Sequence, residues 1–437
     1  MSTQAIQRPI GFSPKEISNL VNEVVVCQHA EDAAFLWMQR DSAVTAPNFK
    51  LKDLAKWDER VEANLDGLRV AGEVGWQMVL ANVDQGETGA IFVAGVLALE
   101  APEGENPRVT KVCKLVDAAP EKARELISAF GWVNPKALSG KVQGFLDSSN
   151  SLWRRVGLRA CAAHRVDPKA YLDRALSEEP LRLRACAFRT AGEIGRRNLL
   201  HVLQEEIHLA DEECRFWAAW SSVRLGSRGE PLKSLLKFAM TVSPYQTKAM
   251  QLALRVLDNA TSAQVLKRLS QSPEHLRYAI VGSGIVGDPA YVPWIVQMMS
   301  IPEQARVAGE SFSTITGVDI AYEDLDGEKP EGFEAGPTEN PEDTNVDMDS
   351  DEALPWPDPK LIQDWWDKNA GGFRAGRRYL RGKEIGLESI RDAMLNGNQR
   401  ERAAAALEQA IRNPAEPLFE VRAPAKRQQR QLVSWTS

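Results

Sequence analysis

Between residues 150 and 320 the chain repeats itself at a spacing of about 30 residues, and this recurrence constrains the fold more than any single motif. Apolar segments rich in small residues, each opened by a basic residue, begin at Arg155 (RVGLRACAAHRVDP), Arg184 (RACAFRTAGEIG), Arg215 (RFWAAWSSVRLG), Lys248 (KAMQLALRVLDN), Arg277 (RYAIVGSGIVGD) and Arg306 (RVAGESFSTITG). After the first, each reaches a Gly or Asn ten or eleven positions on, at Gly195, Gly226, Asn259, Gly287 and Gly317; the first has Val166, Asp167 and Pro168 instead. Small residues allow helices to pack closely, and a terminal Gly or Asn supplies a left-handed cap. Second amphipathic segments lie between the caps, among them YLDRAL, NLLHVLQEEI, PLKSLLKFAM, AQVLKRLS and YVPWIVQMM, with apolar residues at helical spacing. Two helices per unit, stacked along the chain, predict an all-α fold: an α-solenoid of short repeats with divergent N- and C-terminal caps.

The divisions that follow are 1–150, an N-terminal helical cap with divergent repeats; 151–320, the repeat array; 321–357, an acidic insertion; and 358–437, a C-terminal helical cap with a basic tail. In the first, HAEDAAFLWMQRDSAV predicts one helix from about Ala30. The stretch from Leu51 to Val83 predicts a long helix or a bent pair, broken near Gly72 or Gly75. The third carries thirteen acidic residues against the single Lys329 between Glu323 and Glu352. With few large apolar groups it reads as a disordered or loosely held tether.

A formal net charge of −7 disfavours nucleic acid as a partner, because a phosphate backbone would be repelled unless basic residues gathered on one face. Five cysteines without a CxxC pair fit reduced, buried thiols better than a disulfide or zinc framework. The start lacks a charged region leading into an apolar one, and the clean apolar run GAIFVAGVLAL, residues 89–99, is too short to span a bilayer, so a cytoplasmic protein is expected.

Several motifs reduce to structural readings. AIVGSGIVGD places Gly282, Gly284 and Gly287 in the GxGxxG spacing of a dinucleotide turn, yet it is in phase with the repeats and is followed by Pro289 and Pro293. DTNVDMDSDEAL, residues 343–354, alternates oxygen ligands like a calcium loop but has Met348 and Leu354 where Gly and Glu are needed. The histidines form no metal-binding spacing, and no triad, P-loop or nucleophile elbow is present; no catalytic, metal or cofactor residue is expected. The basic ladder Arg155, Arg184, Arg215, Lys248, Arg277 and Arg306 reads first as a structural series bonding neighbouring repeats, and second as a phosphate- or peptide-binding stripe.

The junction LPWPDPKLIQDWWDKN, residues 354–369, predicts a helix capped by Asp358 with Pro359 at its first position. Trp356 is placed to staple onto Ile362 or Lys360, and Trp365 and Trp366 point about 100° apart, one docking and the other near the surface. These three tryptophans are the candidate partner-binding residues, with docking as the alternative.

The blocks HAEDAAFLW (from His29), WDERVEANLDGLRVAG (from Trp57), NPEDTNVDMDSDEALPWPDPKLIQDWW (from Asn340), GRRYLRGK (from Gly376) and EPLFEVRAPAKRQQRQL (from Glu416) span nearly the whole length. With the repeats, they give a chain that resembles an uncharacterised bacterial HEAT-repeat family often encoded near type VI secretion genes. The resemblance carries no catalytic residues. It implies a noncatalytic scaffold that binds a protein, as adaptor, chaperone or accessory factor for a type VI secretion substrate or component. The alternatives are a HEAT-scaffold enzyme or nucleic-acid-acting protein, and an immunity protein against a secreted toxin.

Overall fold

The computed structural model describes residues 21–101, 107–337, 344 and 348–433. Among the described residues the fold is all-α apart from a hairpin of two two-residue strands, and the chain divides into two compact units: residues 1–42 with 55–141, and 43–54 with 142–437. The chain passes from the first unit to the second for the last time between Lys141 and Val142. No helix among the described residues is long and apolar enough to cross a membrane.

The first unit is built on α1 (Glu23–Ala43), most of α2 (Leu51–Ala71), α3 (Glu73–Asp84), α4 (Ala90–Glu100), α5 (Pro107–Ala118) and α6 (Ala123–Trp132). The bend predicted between α2 and α3 sits at Gly72, whose φ of 61° breaks the helix. Helix α4 is the apolar run seen in the sequence, and every residue from Ala90 to Leu99 is buried, making it the centre of this core. Phe92 stacks on Trp37 at 4.7 Å and meets the edge of Trp132 at 5.5 Å. The Glu125 carboxylate, on α6, accepts from the Gly89 amide at 3.1 Å and so caps the N-terminus of α4.

From residue 142 onward the second unit contains the rest of α7 (Lys141–Leu146) and then alternates helices. One series is α8 (Ser151–Ala163), α10 (Leu181–Ile194), α12 (Glu212–Arg224), α14 (Gln246–Val256), α16 (Pro273–Val286) and α18 (Pro302–Thr316). Between them lie α9 (Ala170–Ala175), α11 (Leu200–Glu205), α13 (Glu230–Ala239), α15 (Asn259–Leu269) and α17 (Val292–Met298). Each helix of the first series packs on the next of that series. Small residues and neighbour-to-neighbour bonds set the approach: Ser221 Oγ donates to the Phe188 carbonyl at 2.7 Å against Gly192, and Ser311 Oγ to the Ile280 carbonyl at 3.0 Å against Gly284. Gly195, Gly287 and Gly317 are left-handed caps, as their spacing predicts. Asn259 is not: α14 stops at Val256, Asp258 caps the next helix, and Asn259 is that helix's first residue. The GxGxxG glycines are accounted for within α16. Gly282 faces Leu254 and Leu266, Gly284 faces Ser311, and Gly287 ends the helix.

After α19 (Pro359–Asn369) come β1 (Tyr379–Leu380), β2 (Lys383–Glu384), α20 (Leu387–Asn396), α21 (Gln399–Arg412) and α22 (Ala425–Val433). This C-terminal region doubles back along the ends of the first helix series. Arg381 and Gly382 amides bond the Thr314 and Ile315 carbonyls of α18, and the Tyr379 amide bonds Gly287 at the end of α16. Arg378 donates to Val286 of α16 and to the Arg255 carbonyl of α14. Arg224 of α12 donates to Pro414, the Leu418 amide bonds Glu193 of α10, and Arg427 reaches Ala163 of α8. Helix C-termini carry orphan carbonyls and partial negative charge, so backbone amides and guanidiniums are the fitting cover.

Candidate partner-binding site

Four of the six ladder positions read in the sequence, Arg184, Arg215, Arg277 and Arg306, bond to a helix end or to an acidic group, whereas Arg155 and Lys248 give way to Arg154 and Gln246. Arg154, not Arg155, reaches back to the preceding turn, donating to the Ser148 and Ser149 carbonyls at 2.9 Å. Arg184 does the same to Ser177 at 3.2 Å, and Arg215 to Leu209 and Ala210 at 2.8 and 3.0 Å. In the next unit the neutral, buried Gln246 takes the position, donating to Ala239 at 3.2 Å, while Lys248 lies two residues on and is exposed. Adjacent arginines at 154 and 155 and an uncharged substitute at 246 hide this register from a search for charge.

Arg277 and Arg306 hold the acidic stretch instead of helix ends. Arg277 makes a two-pronged pair with Asp351 at 2.5 and 2.6 Å, and Arg306 bonds Asp349 at 2.7 Å. Near the start of the stretch, the Gly327 amide bonds the Trp356 carbonyl at 2.8 Å, and the Asp358 amide bonds Leu325 at 2.9 Å. Where composition predicts loosely held chain, residues 325–327 and 349–358 are thus fixed to the helices. Two arginines supply the partners that the acidic sequence lacks, and Arg277 meets the buried Asp351 with a charge-assisted pair. Residues 338–343 and 345–347, which include most of the first half of the calcium-like loop, lie outside the described residues.

The tryptophans divide by environment. Asp358 caps α19 by accepting from the Lys360 and Leu361 amides at 2.8 and 2.9 Å, with Pro359 at the first position. Trp366 is buried with Ile362 in a core shared with α17 and α18, and Trp365 is half-buried, its ring edge-on to Phe312 at 5.6 Å. Trp365 and Trp366 therefore anchor the helix. Trp356 lies over the Arg306 guanidinium at 4.5 Å and edge-on to Phe333 at 5.0 Å, not on the helix it precedes. Its staple position is overridden by this cation–π contact.

Half-buried Trp356 also lines a cavity of about 210 Å³, with Met299, Pro302, Pro330, Pro357 and the acidic Glu328 and Asp358 around it. An aromatic ring held over a buried cation, beside Pro302, Pro330, Pro357 and Pro359, makes a small, half-open socket of mixed polar and apolar lining with Glu328 and Asp358 at its edge. Such a socket suits an apolar or cationic side chain of a protein partner.

Other strongly shifted groups serve packing. Buried Glu193 is opposed by desolvation, yet the guanidiniums of Arg159, Arg189 and Arg165 outweigh it and hold the carboxyl well below its usual range. Burial pushes the Arg224 guanidinium down to about 10, with Arg165 adding to the effect. Among the described residues no three His, Cys, Asp or Glu side chains gather as metal ligands.

Comparisons with protein-family models, with curated proteins and with solved structures found no match.

Proposed function

We propose that this chain is a noncatalytic, protein-binding α-solenoid of short HEAT-like repeats, working in the cytoplasm as an adaptor, chaperone or accessory factor for type VI secretion. The 30- to 31-residue recurrence of helices with shared bonding positions supports the solenoid reading. The family resemblance supplies the secretion context. The observation that carries protein binding is the Trp356 socket: an ordered, half-buried tryptophan beside a cavity, on a stretch otherwise built of acidic and turn-forming residues. Residues 376–427 cover the C-termini of the first helix series, which supports taking the Trp356 side as a docking face.

The test places a photo-crosslinking amino acid at position 356 of the full-length protein, in cells that carry a type VI secretion system. Crosslinking to a product of those genes, lost when the native Trp356→Ala chain is assayed by co-purification, is the expected result. Crosslinks to no such product, or co-purification unchanged in Trp356→Ala, would remove the reading.

A further inference from the structure

A second surface lies on the same unit, on helices that precede those carrying Arg277 and Arg306. We propose that the cationic face of α8, α10, α12 and α14, built on Arg155, Arg159, Arg189 and Lys248 around Trp217, docks an acidic peptide segment of a protein partner. The proposal rests on the protein-binding reading but uses a different site.

One row of this face falls 31 residues apart at each step: Arg155, Cys186, Trp217, Lys248. Cys186 Sγ lies 4.0 Å from the Arg155 carbonyl, which brings α8 and α10 together there. Arg189 lies 4.7 Å above the Trp217 ring while bonding Glu193 at 2.7 Å, and Arg159 bonds the same carboxylate at 2.7 Å. Lys248 sits within electrostatic reach of Arg189 and Arg422 as well as Glu193. The carboxylates that face the cluster are Glu193, shared by Arg159, Arg189 and Arg165, and Glu420, paired with Arg165. Two carboxylates against Arg155, Arg159, Arg165, Arg189 and Lys248 leave positive charge in excess, in a chain whose net charge is −7. Among the described residues, the Arg155 and Lys248 side chains make no hydrogen bond or ion pair, so their donors are available to a ligand.

The molecule itself shows how this scaffold receives acidic chain. Asp351 and Asp349 lie on Arg277 of α16 and Arg306 of α18, the next two helices of the series. Four helices at a spacing of about 8–10 Å make a row of roughly 30 Å, the length of about nine extended residues. A peptide with a few carboxylates needs only this local complementarity. A nucleic acid would bring a continuous phosphate backbone up to a chain whose net charge is −7.

The test is fluorescence anisotropy of a short labelled peptide of alternating Glu and Ser, titrated with the full-length protein in low-salt buffer. The wild type is expected to bind, Arg155→Glu with Lys248→Glu to weaken binding by about tenfold or more, and Trp356→Ala to leave it unchanged. Arg155→Gln with Lys248→Gln, which leaves no repelling charge, is expected to lose less and serves if the reversed pair fails to fold. Absence of peptide binding to the wild type, equal affinity in both pairs of substitutions, or equal loss in Trp356→Ala would overturn the proposal. Tighter binding of an oligothymidylate than of the peptide would overturn it in favour of nucleic acid.

Discussion

The Arg224 guanidinium, fully buried at the end of α12, donates to the carbonyl oxygens of Pro414 and Glu416, which lie about 190 residues further along the chain. Among the described residues no carboxylate is bonded to it; its charge is spent on peptide dipoles. Arg224→Ala is therefore expected to leave a cavity and two unsatisfied carbonyls, costing about 3 kcal/mol, and to expose residues 413–424 to protease. Urea unfolding and limited proteolysis with mass spectrometry check both.

Gly287, at φ +73°, would place an added Cβ 2.4 Å from the Tyr379 carbonyl. Gly287→Ala thus combines a left-handed backbone penalty with displacement of the strand that covers α16, about 2 kcal/mol or more together. Gly72→Ala, at φ +61° with open space around it, incurs the backbone penalty alone. The difference in thermal midpoint between the two variants isolates the contact.

Glu193 gives a pH signature. Its carboxyl is held below the unfolded value of about 4.5, so the folded state binds fewer protons than the unfolded state in the acid range. Its contribution is fully present above pH 4.5 and is lost as pH falls through the folded value. Glu193→Gln should be less stable than wild type by about 3 kcal/mol at pH 7, with the gap closing below about pH 4.5. Urea midpoints for both proteins across that range test the sign.

Trp366 and Trp356 should separate stability from binding. Trp366→Ala empties a buried position and is expected to cost about 3–5 kcal/mol, while Trp356→Ala, at a half-buried site, is expected to cost clearly less and, on the proposed reading, to abolish co-purification of a partner. Denaturation curves measured alongside co-purification make the comparison.

The thiols should be slow to react in the native state. Burial first, with nearby carboxylates adding, pushes Cys214 up to about 12 and Cys113 and Cys161 up to about 11, and none of the five is in a disulfide. Native labelling with a thiol reagent at about pH 8 is expected to leave these three unmodified, and denaturation to release all five.

The paired helices were legible because each carries its own signal: an apolar face at helical spacing, small residues, and a glycine where the helix stops. Asn259 misled because Asn serves either end of a helix, and Asp258 beside it settled the matter as an N-cap. The ladder could be found by charge but not registered by it, since Gln246 makes the same bond as its charged counterparts. Least legible was the return of residues 376–427. The bond from Leu418 to Glu193 joins positions 225 residues apart in the sequence, and neither residue marks it locally. Trp356 looked like a helix staple because its true partners, Arg306 and Phe333, lie in other segments.

That return has a consequence for how the protein is made. A stack of helix pairs bonded only to its neighbours would close up unit by unit as it left the ribosome. Here the carbonyl ends of α10 and α12 wait for residues 414–418, so native bonding at the middle of the array is completed only after the acidic stretch, α19 and the hairpin have emerged. Chains stopped short of residue 414 would carry open helix ends at α8, α10 and α12, a ready target for chaperones and proteases.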